Sequence, residues 1–183
     1  ISYDPEKAKA LLEESSYDGE TIRILGLPYG ETWQRWAEAV KQNLSEIGMT
    51  TEIVPSDVAG WNQKVADRDY DLAFTYLYQY GDPALGVSRT YMGDNAAPGS
   101  PWNNVANYQN AETDKLFAEA ALMASPEERK AAYKEIQDKI VEDVPNIWLL
   151  ELGFPTIYRC DVKNPVNTAF GVNDGFRDVW IDK

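Results

Sequence analysis

Residues 21–27 read TIRILGL, residues 51–54 read TEIV and residues 70–78 read YDLAFTYLY, with two apolar patterns of a different period between them. In the first stretch Thr21 and Arg23 separate Ile22, Ile24 and Leu27, a near-alternation that predicts a strand. Beyond Gly30, residues Trp33, Trp36, Val40, Leu44 and Ile47 recur at spacings of three and four, which predicts a long amphipathic helix stopping at Gly48. Ser56 or Asp57 can cap a shorter helix carrying Val58, Trp61 and Val65, after which Arg68 and Asp69 turn the chain into the third strand, 70–78. Strand, helix, strand, helix, strand predicts an α/β fold, a mixed sheet with parallel strands flanked by helices.

Upstream, Asp4 before Pro5 reads as an N-cap with proline at the first helical position, and Ala8, Leu11 and Leu12 continue that helix to about Ser15. Downstream, residues 81–110 are rich in Gly, Pro, Asn, Ser and aromatics, and only 84–92 is expected to be helical there. A long irregular stretch in a compact domain is functional or disordered, and its aromatic content argues against disorder. Two helices follow, over 112–124 and from Ser125, where Pro126 and Glu128 supply a start signal, to near Pro145. Residues 147–152 and 156–158 read as strands, and 179–181 as a last short apolar run.

Composition narrows the function. Lys plus Arg number 17 against 30 Asp plus Glu, a formal net charge of −13 that repels nucleic acid and an anionic membrane surface alike. No stretch is apolar enough to span a bilayer. Residues 1–14 have neither the basic start nor the apolar run of a secretory signal, so a processed chain or an excised piece is expected. There is no histidine, which removes the commonest general base and the commonest metal ligand. The single cysteine, Cys160, closes no internal disulfide and reads as a buried small hydrophobe. No catalytic residue, metal site or cofactor is expected.

Five segments in order carry a resemblance: DPEKAKALLEE from Asp4, RDYDL from Arg68, GDP from Gly81, YQNAETDKL from Tyr108, and YKEIQ from Tyr133 followed by DVP from Asp143. Together they are similar to the extracellular solute-binding proteins of the dipeptide, oligopeptide and nickel group, family 5, and the likeness covers essentially the whole chain. That resemblance implies a periplasmic-binding-protein-like lobe of a longer, two-lobed protein, with this chain as the C-terminal lobe and an N-terminal lobe missing. It implies residues 1–160 as the ligand-binding lobe and 161–183 as a tail that packs back toward the missing lobe. An apolar patch is then expected around Phe170, Phe176 and Trp180. It further implies capture of a small polar solute by closure of two lobes, delivery to an ABC permease in the inner membrane, and a periplasmic location, or an extracellular lipid-anchored one in a single-membrane bacterium.

Ligands of open α/β sheets collect at the carboxyl ends of strands, which directs attention to Tyr76, Tyr78, Gln79, Tyr80 and Asp82. Tyrosines give rigid faces with hydrogen-bonding tips, and alternation along a strand would place Tyr76 and Tyr78 on one face; each could equally be core. Trp102, Asn103 and Asn104 form a second candidate set, one stacking face beside two amides, or else an ordinary loop plug. Peptide-binding members of the family resemble one another in an aspartate three residues before the Asp-Pro pair, where it holds the peptide's ammonium group; this chain has Gln79 there. A neutral amide lacks the charge-assisted bond, which makes a free peptide N-terminus a doubtful ligand and favours a sugar or an amino-acid conjugate. Asp82 reads equally as compensating carboxylate or as turn brace, Arg89 as a partner for a ligand carboxylate or, more readily, a solvated side chain, and Trp33 and Trp36 as core. Two other readings stand beside this one: a ligand sensor or chaperone module on the same scaffold, and a carboxylate glycosidase using Asp82 with Asp94.

Overall fold

The computed structural model describes residues 2–77, 82–153, 155–168, 170–171 and 175–182, and the chain divides into two compact units. The first comprises residues 1–77 with 96–105, the second 78–95 with 106–183.

In the first unit, helix α1 (Pro5–Glu14) starts where Asp4 accepts the Lys7 N–H at 2.9 Å. Strand β1 (Ile22–Leu25) is followed by α2 (Glu31–Glu46), β2 (Thr51–Val54), α3 (Val58–Asp67) and β3 (Leu72–Ala73). The strands are parallel in the order β2-β1-β3, with Ile24 opposite both Ile53 and Leu72. Two successive parallel strands need a crossover, which α2 and α3 provide. The chain first steps from β1 to β2, then passes back over β1 to β3. Gly30 opens α2 at φ 107°, a left-handed conformation that suits glycine. Asp57 rather than Ser56 caps α3, accepting the Gly60 N–H at 2.7 Å. Ile24, Leu25, Leu27, Ala37, Trp61, Val65 and Phe74 form the core. Each fully buried Leu or Ile contributes about 1.5–3 kcal/mol of transfer energy.

The third strand is much shorter than the expected 70–78. Its last ladder bond runs from the Phe74 N–H to the Leu25 carbonyl at 2.9 Å, and β1 itself ends there, so nothing continues the pairing. Tyr76 therefore lies beyond the strand.

Residues 96–105 are tied to this unit at several points. Arg68, in the left-handed region at φ 62°, donates through Nη2 to the carbonyls of Ala96 and Asn104, both at 3.0 Å. The Tyr70 hydroxyl donates to the Val105 carbonyl at 2.7 Å, and burial pushes this phenol's pKa up. The Gly99 N–H reaches the Ala66 carbonyl at 2.9 Å.

The second unit is built on the helical hairpin of α4 (Ala111–Leu122) and α5 (Pro126–Asp143). Asn110 caps α4 through the N–H groups of Glu112 and Thr113, and Ser125 caps α5 through that of Glu128. Tyr91, Phe117, Ala120, Ala132, Ile136 and Ile140 form its core, with the Tyr91 and Phe117 rings stacked at 6.4 Å and 5°. The Asp143 carboxylate accepts from the Tyr108 hydroxyl at 2.6 Å and from Asn110 Nδ2 at 3.0 Å, which joins the two ends of the hairpin. Strands β4 (Val162–Lys163) and β5 (Trp180–Ile181) pair antiparallel.

Three expectations fail in this unit. Residues 84–92 form a turn and a short 3-10 helix, Ser88–Thr90, in place of an α-helix; Pro83 and Gly86 punctuate the segment too closely for one. Residues 147–152 and 156–158 form no strand. A strand needs a neighbour for its N–H and C=O groups, and none of the described segments supplies one. Instead Ile147, Trp148, Leu149 and Leu150 are all about half exposed or more, and Ile157 is 94% exposed. Cys160 is exposed, not buried, because it lies in the turn that leads into β4. Phe170, Phe176 and Trp180 are exposed as well.

Candidate functional site

Where the order β2-β1-β3 reverses, between β1 and β3, the carboxyl ends of the strands open onto the crevice in which α/β sheets hold ligands. Two tyrosines stand at that edge. Tyr29 follows β1 by four residues and Tyr76 follows β3 by three, and their rings meet edge to face at 6.1 Å and 62°. Trp33, in the first turn of α2, approaches Tyr76 at 5.8 Å and Trp36 at 4.8 Å. From the returning segment Trp102 comes to 6.2 Å from Tyr76 and 5.2 Å from Trp61. Tyr29 is 42% exposed, Trp33, Tyr76 and Trp102 are half-buried and Trp61 is fully buried, so one continuous aromatic strip runs from surface to core.

Such a strip offers a ligand flat faces, with a phenol hydroxyl on each tyrosine as polar tip. Asn103 is half-buried beside Trp102, and Asn104 is fully buried with its carbonyl held by Arg68. The structure thus brings Tyr76, Trp102, Asn103 and Asn104 into one unit. Tyr78, Gln79 and Tyr80 lie outside the described residues. Tyr29 and Trp33 are neighbours of Tyr76 that the sequence reading missed, since Trp33 looked like the first member of the α2 core stripe. The available signal was its place in the first turn after Gly30, at a strand's carboxyl end.

Asp82 belongs to the second unit. Arg129 grips it on both oxygens, at 2.6 and 2.7 Å, and Oδ1 also accepts the Ala84 N–H at 2.9 Å. The Arg129 guanidinium above all, then the Ala84 bond, holds the Asp82 carboxyl below the usual aspartate pKa. Asp94 and Arg89 are exposed in the short 3-10 turns nearby. A groove of about 780 Å³ in this unit is bordered by Asp82, Pro83, Arg129, Lys130 and Tyr133. Among the described residues no group of three or more His, Cys, Asp or Glu side chains is placed to hold a metal, and no helix is long and apolar enough to cross a membrane.

The sequence model of the bacterial extracellular solute-binding proteins, family 5 Middle, matches residues 2–99. Heme-binding protein A of Haemophilus influenzae is 29% identical over 98% of this chain and 33% of its own length. The probable D,D-dipeptide-binding periplasmic protein DdpA of Escherichia coli is 23% identical over 94% of this chain and 34% of its own. Among solved structures, the ABC transporter-associated periplasmic binding protein DppA from Helicobacter pylori, in complex with the peptide STSA, superposes with a TM-score of 0.77; it covers 100% of this chain and 35% of that one, at 23% identity. That likeness gives the periplasmic-binding-protein fold, with its helix-flanked parallel sheet. The chain spans about a third of the length of the curated relatives it matches. With the family's own sequence pattern running through more than half of its residues, the chain belongs to the bacterial extracellular solute-binding proteins, family 5.

Proposed function

We propose that this chain supplies one wall of a cleft that captures a small polar solute for an ABC importer. The observation that carries the reading is the aromatic strip of Tyr29, Trp33, Tyr76 and Trp102 at the β1/β3 carboxyl edge, where a solute would dock. Tyr76, Trp102 and Asn103 make the contacts in this reading, and Arg68 fixes Trp102's segment through the Asn104 carbonyl; Tyr78, Gln79 and Tyr80 are candidates on the sequence alone. The solute bridges to the rest of the longer protein, the two lobes hinge shut, and a permease in the inner membrane recognises the closed form. No bond in the solute is broken. The location that fits is the periplasm, or the outer face of a single membrane with a lipid anchor.

In the same reading residues 1–160 are the ligand-binding lobe, and 161–183 form a tail that packs on the part of the protein outside this sequence. The exposed Phe170, Phe176 and Trp180 support this, as do Ile147–Leu150, which are apolar, consecutive and without a strand partner among the described residues.

The solute class follows from Gln79. The relatives' names speak of heme, a D,D-dipeptide and a peptide, so the scaffold takes diverse cargo. An amide three residues before Asp82 offers a ligand ammonium no charge-assisted bond, and the aromatic strip suits a sugar or an amino-acid conjugate better than a free peptide amine. Native mass spectrometry of the full-length protein, purified gently from its host, tests this. A retained sugar, conjugate or amine-blocked oligopeptide is the expected result. A retained peptide with a free N-terminus would overturn the Gln79 argument, and a protein that never retains or binds any small solute would overturn the capture reading itself.

A further inference from the structure

Arg68 ends α3 in the left-handed region, at φ 62° and ψ 30°, where glycine would sit with less strain. Its half-buried side chain is spent on backbone carbonyls: Nη1 donates to that of Val65 at 3.2 Å, and Nη2 donates to those of Ala96 and Asn104, both at 3.0 Å. Ala96 and Asn104 lie near the two ends of the segment 96–105, which returns to the first unit. Extended, the chain between them would span about 27 Å. Two oxygens each 3.0 Å from one nitrogen are no more than twice that distance apart, so a single guanidinium nitrogen closes the segment into a loop. The Gly99 N–H on the Ala66 carbonyl at 2.9 Å and the Tyr70 hydroxyl on the Val105 carbonyl at 2.7 Å hold it at one point each. The loop contains no helix or strand, so these bonds and its ring neighbours set the place of Trp102, its one aromatic residue. Those neighbours are Trp61 on α3 at 5.2 Å and Tyr76 at 6.2 Å.

We propose that Arg68 is a positioning residue for the aromatic wall: it closes the 96–104 loop, fixes Trp102 against Tyr76, and so controls solute affinity through a ring that it does not itself replace at the wall. The proposal rests on the solute-capture reading above. It makes Trp102 the conditional part of the wall. Tyr29, Trp33 and Tyr76 stand on or beside α2 and the strand ends, whereas Trp102 is delivered by a loop whose two ends one side chain holds. A lysine would keep the charge there, but its compact ammonium on a flexible stem lacks the planar fork that reaches three carbonyls at once.

The test uses the full-length protein labelled with fluorotryptophan, so that each indole gives its own fluorine resonance, that of Trp102 being assigned by its loss in Trp102→Phe. Arg68→Gly removes the side chain and eases the left-handed backbone, so a change reports the lost bonds and not strain. The Trp102 resonance is expected to move toward its position in the urea-unfolded protein, while that of Trp36, packed on Trp33 at 4.8 Å in the same unit, stays in place. Arg68→Lys moves the Trp102 resonance in the same direction and less far. Two probes, methyl β-glucoside and N-acetyl-Ala-Ala, are titrated by calorimetry into the wild type, Arg68→Gly, Trp102→Ala and the double variant. For a probe that binds, Arg68→Gly loses affinity severalfold, and the double variant is no worse than Trp102→Ala, because Arg68 acts only through that ring. A Trp102 resonance unmoved in Arg68→Gly, affinity kept in Arg68→Gly where Trp102→Ala loses it, or losses that add in the double variant would overturn the proposal. Should Arg68→Gly not fold, Arg68→Lys takes its place in both measurements with the same outcomes. If the wild type binds neither probe, or Trp102→Ala binds as well as the wild type, it is the solute-capture reading that fails, and the resonance alone decides the positioning: a displaced signal upholds it and an unmoved one overturns it.

Discussion

Replacing Trp61 by phenylalanine is expected to leave stability nearly unchanged, while alanine at the same position is strongly destabilising. Trp61 is 1% exposed and sits between the β1 core and Trp102, yet its indole N–H is buried with no hydrogen-bond partner among the described residues. An unsatisfied buried donor costs about 1–3 kcal/mol, and phenylalanine removes it. Against this, phenylalanine is smaller by roughly 40 Å³, worth about 1 kcal/mol as residual cavity. The lost apolar burial adds about 1 kcal/mol more. The terms cancel to within about 1 kcal/mol. Alanine removes the same N–H but leaves most of an indole's space empty, for a loss of about 3–5 kcal/mol. Urea titration followed by far-UV circular dichroism, which does not rely on the deleted fluorophore, measures both. A loss of about 3 kcal/mol or more in Trp61→Phe would mean instead that the N–H makes a hydrogen bond worth keeping.

Other consequences follow from single residues. Val144 ends α5 at φ 46°, a left-handed conformation that a β-branched side chain tolerates poorly; Val144→Gly should stabilise the chain by about 1 kcal/mol in the same titration. The Tyr108 hydroxyl, then Asn110, lowers the Asp143 pKa from its ordinary value, as Arg129 does for Asp82. Carboxylates with depressed folded-state pKa values contribute stability that is complete above the unfolded value and lost as pH falls through the folded one. Asp143→Asn should therefore melt below the wild type at pH 7, and the gap should close as the pH is taken below about 4. Phe176→Asp, at a 65% exposed position, should change the stability of this isolated chain by less than about 0.5 kcal/mol, yet lower the melting temperature of the full-length protein, where the proposed tail packs on the rest of the molecule.

The parallel half of the fold was legible because alternation in Ile22–Leu25 and the three-four spacing of α2 are local signals set by a buried sheet face and a helix stripe. The caps were legible for the same reason: Asp4, Asp57 and Ser125 each bond an N–H within three residues. The length of β3 was not, since it depends on where β1 stops, fifty residues away. Nor was the state of Ile147–Leu152, whose apolar run reads as a strand but pairs with nothing among the described residues. For the candidate site, Tyr76 and Trp102 could be picked by type and place. Their meeting could not, because it depends on Arg68 and Tyr70 holding the 96–105 segment against the first unit. Trp33 was hidden by periodicity, which does not distinguish the buried middle of a stripe from its overhanging end.

Whether the solute lies on the aromatic wall at the β1/β3 edge is decided by a crystal structure of the full-length protein with its retained solute. Solute atoms should lie within about 4.5 Å of the Tyr76 and Trp102 rings. A solute enclosed in the protein with neither ring in contact would contradict that placement.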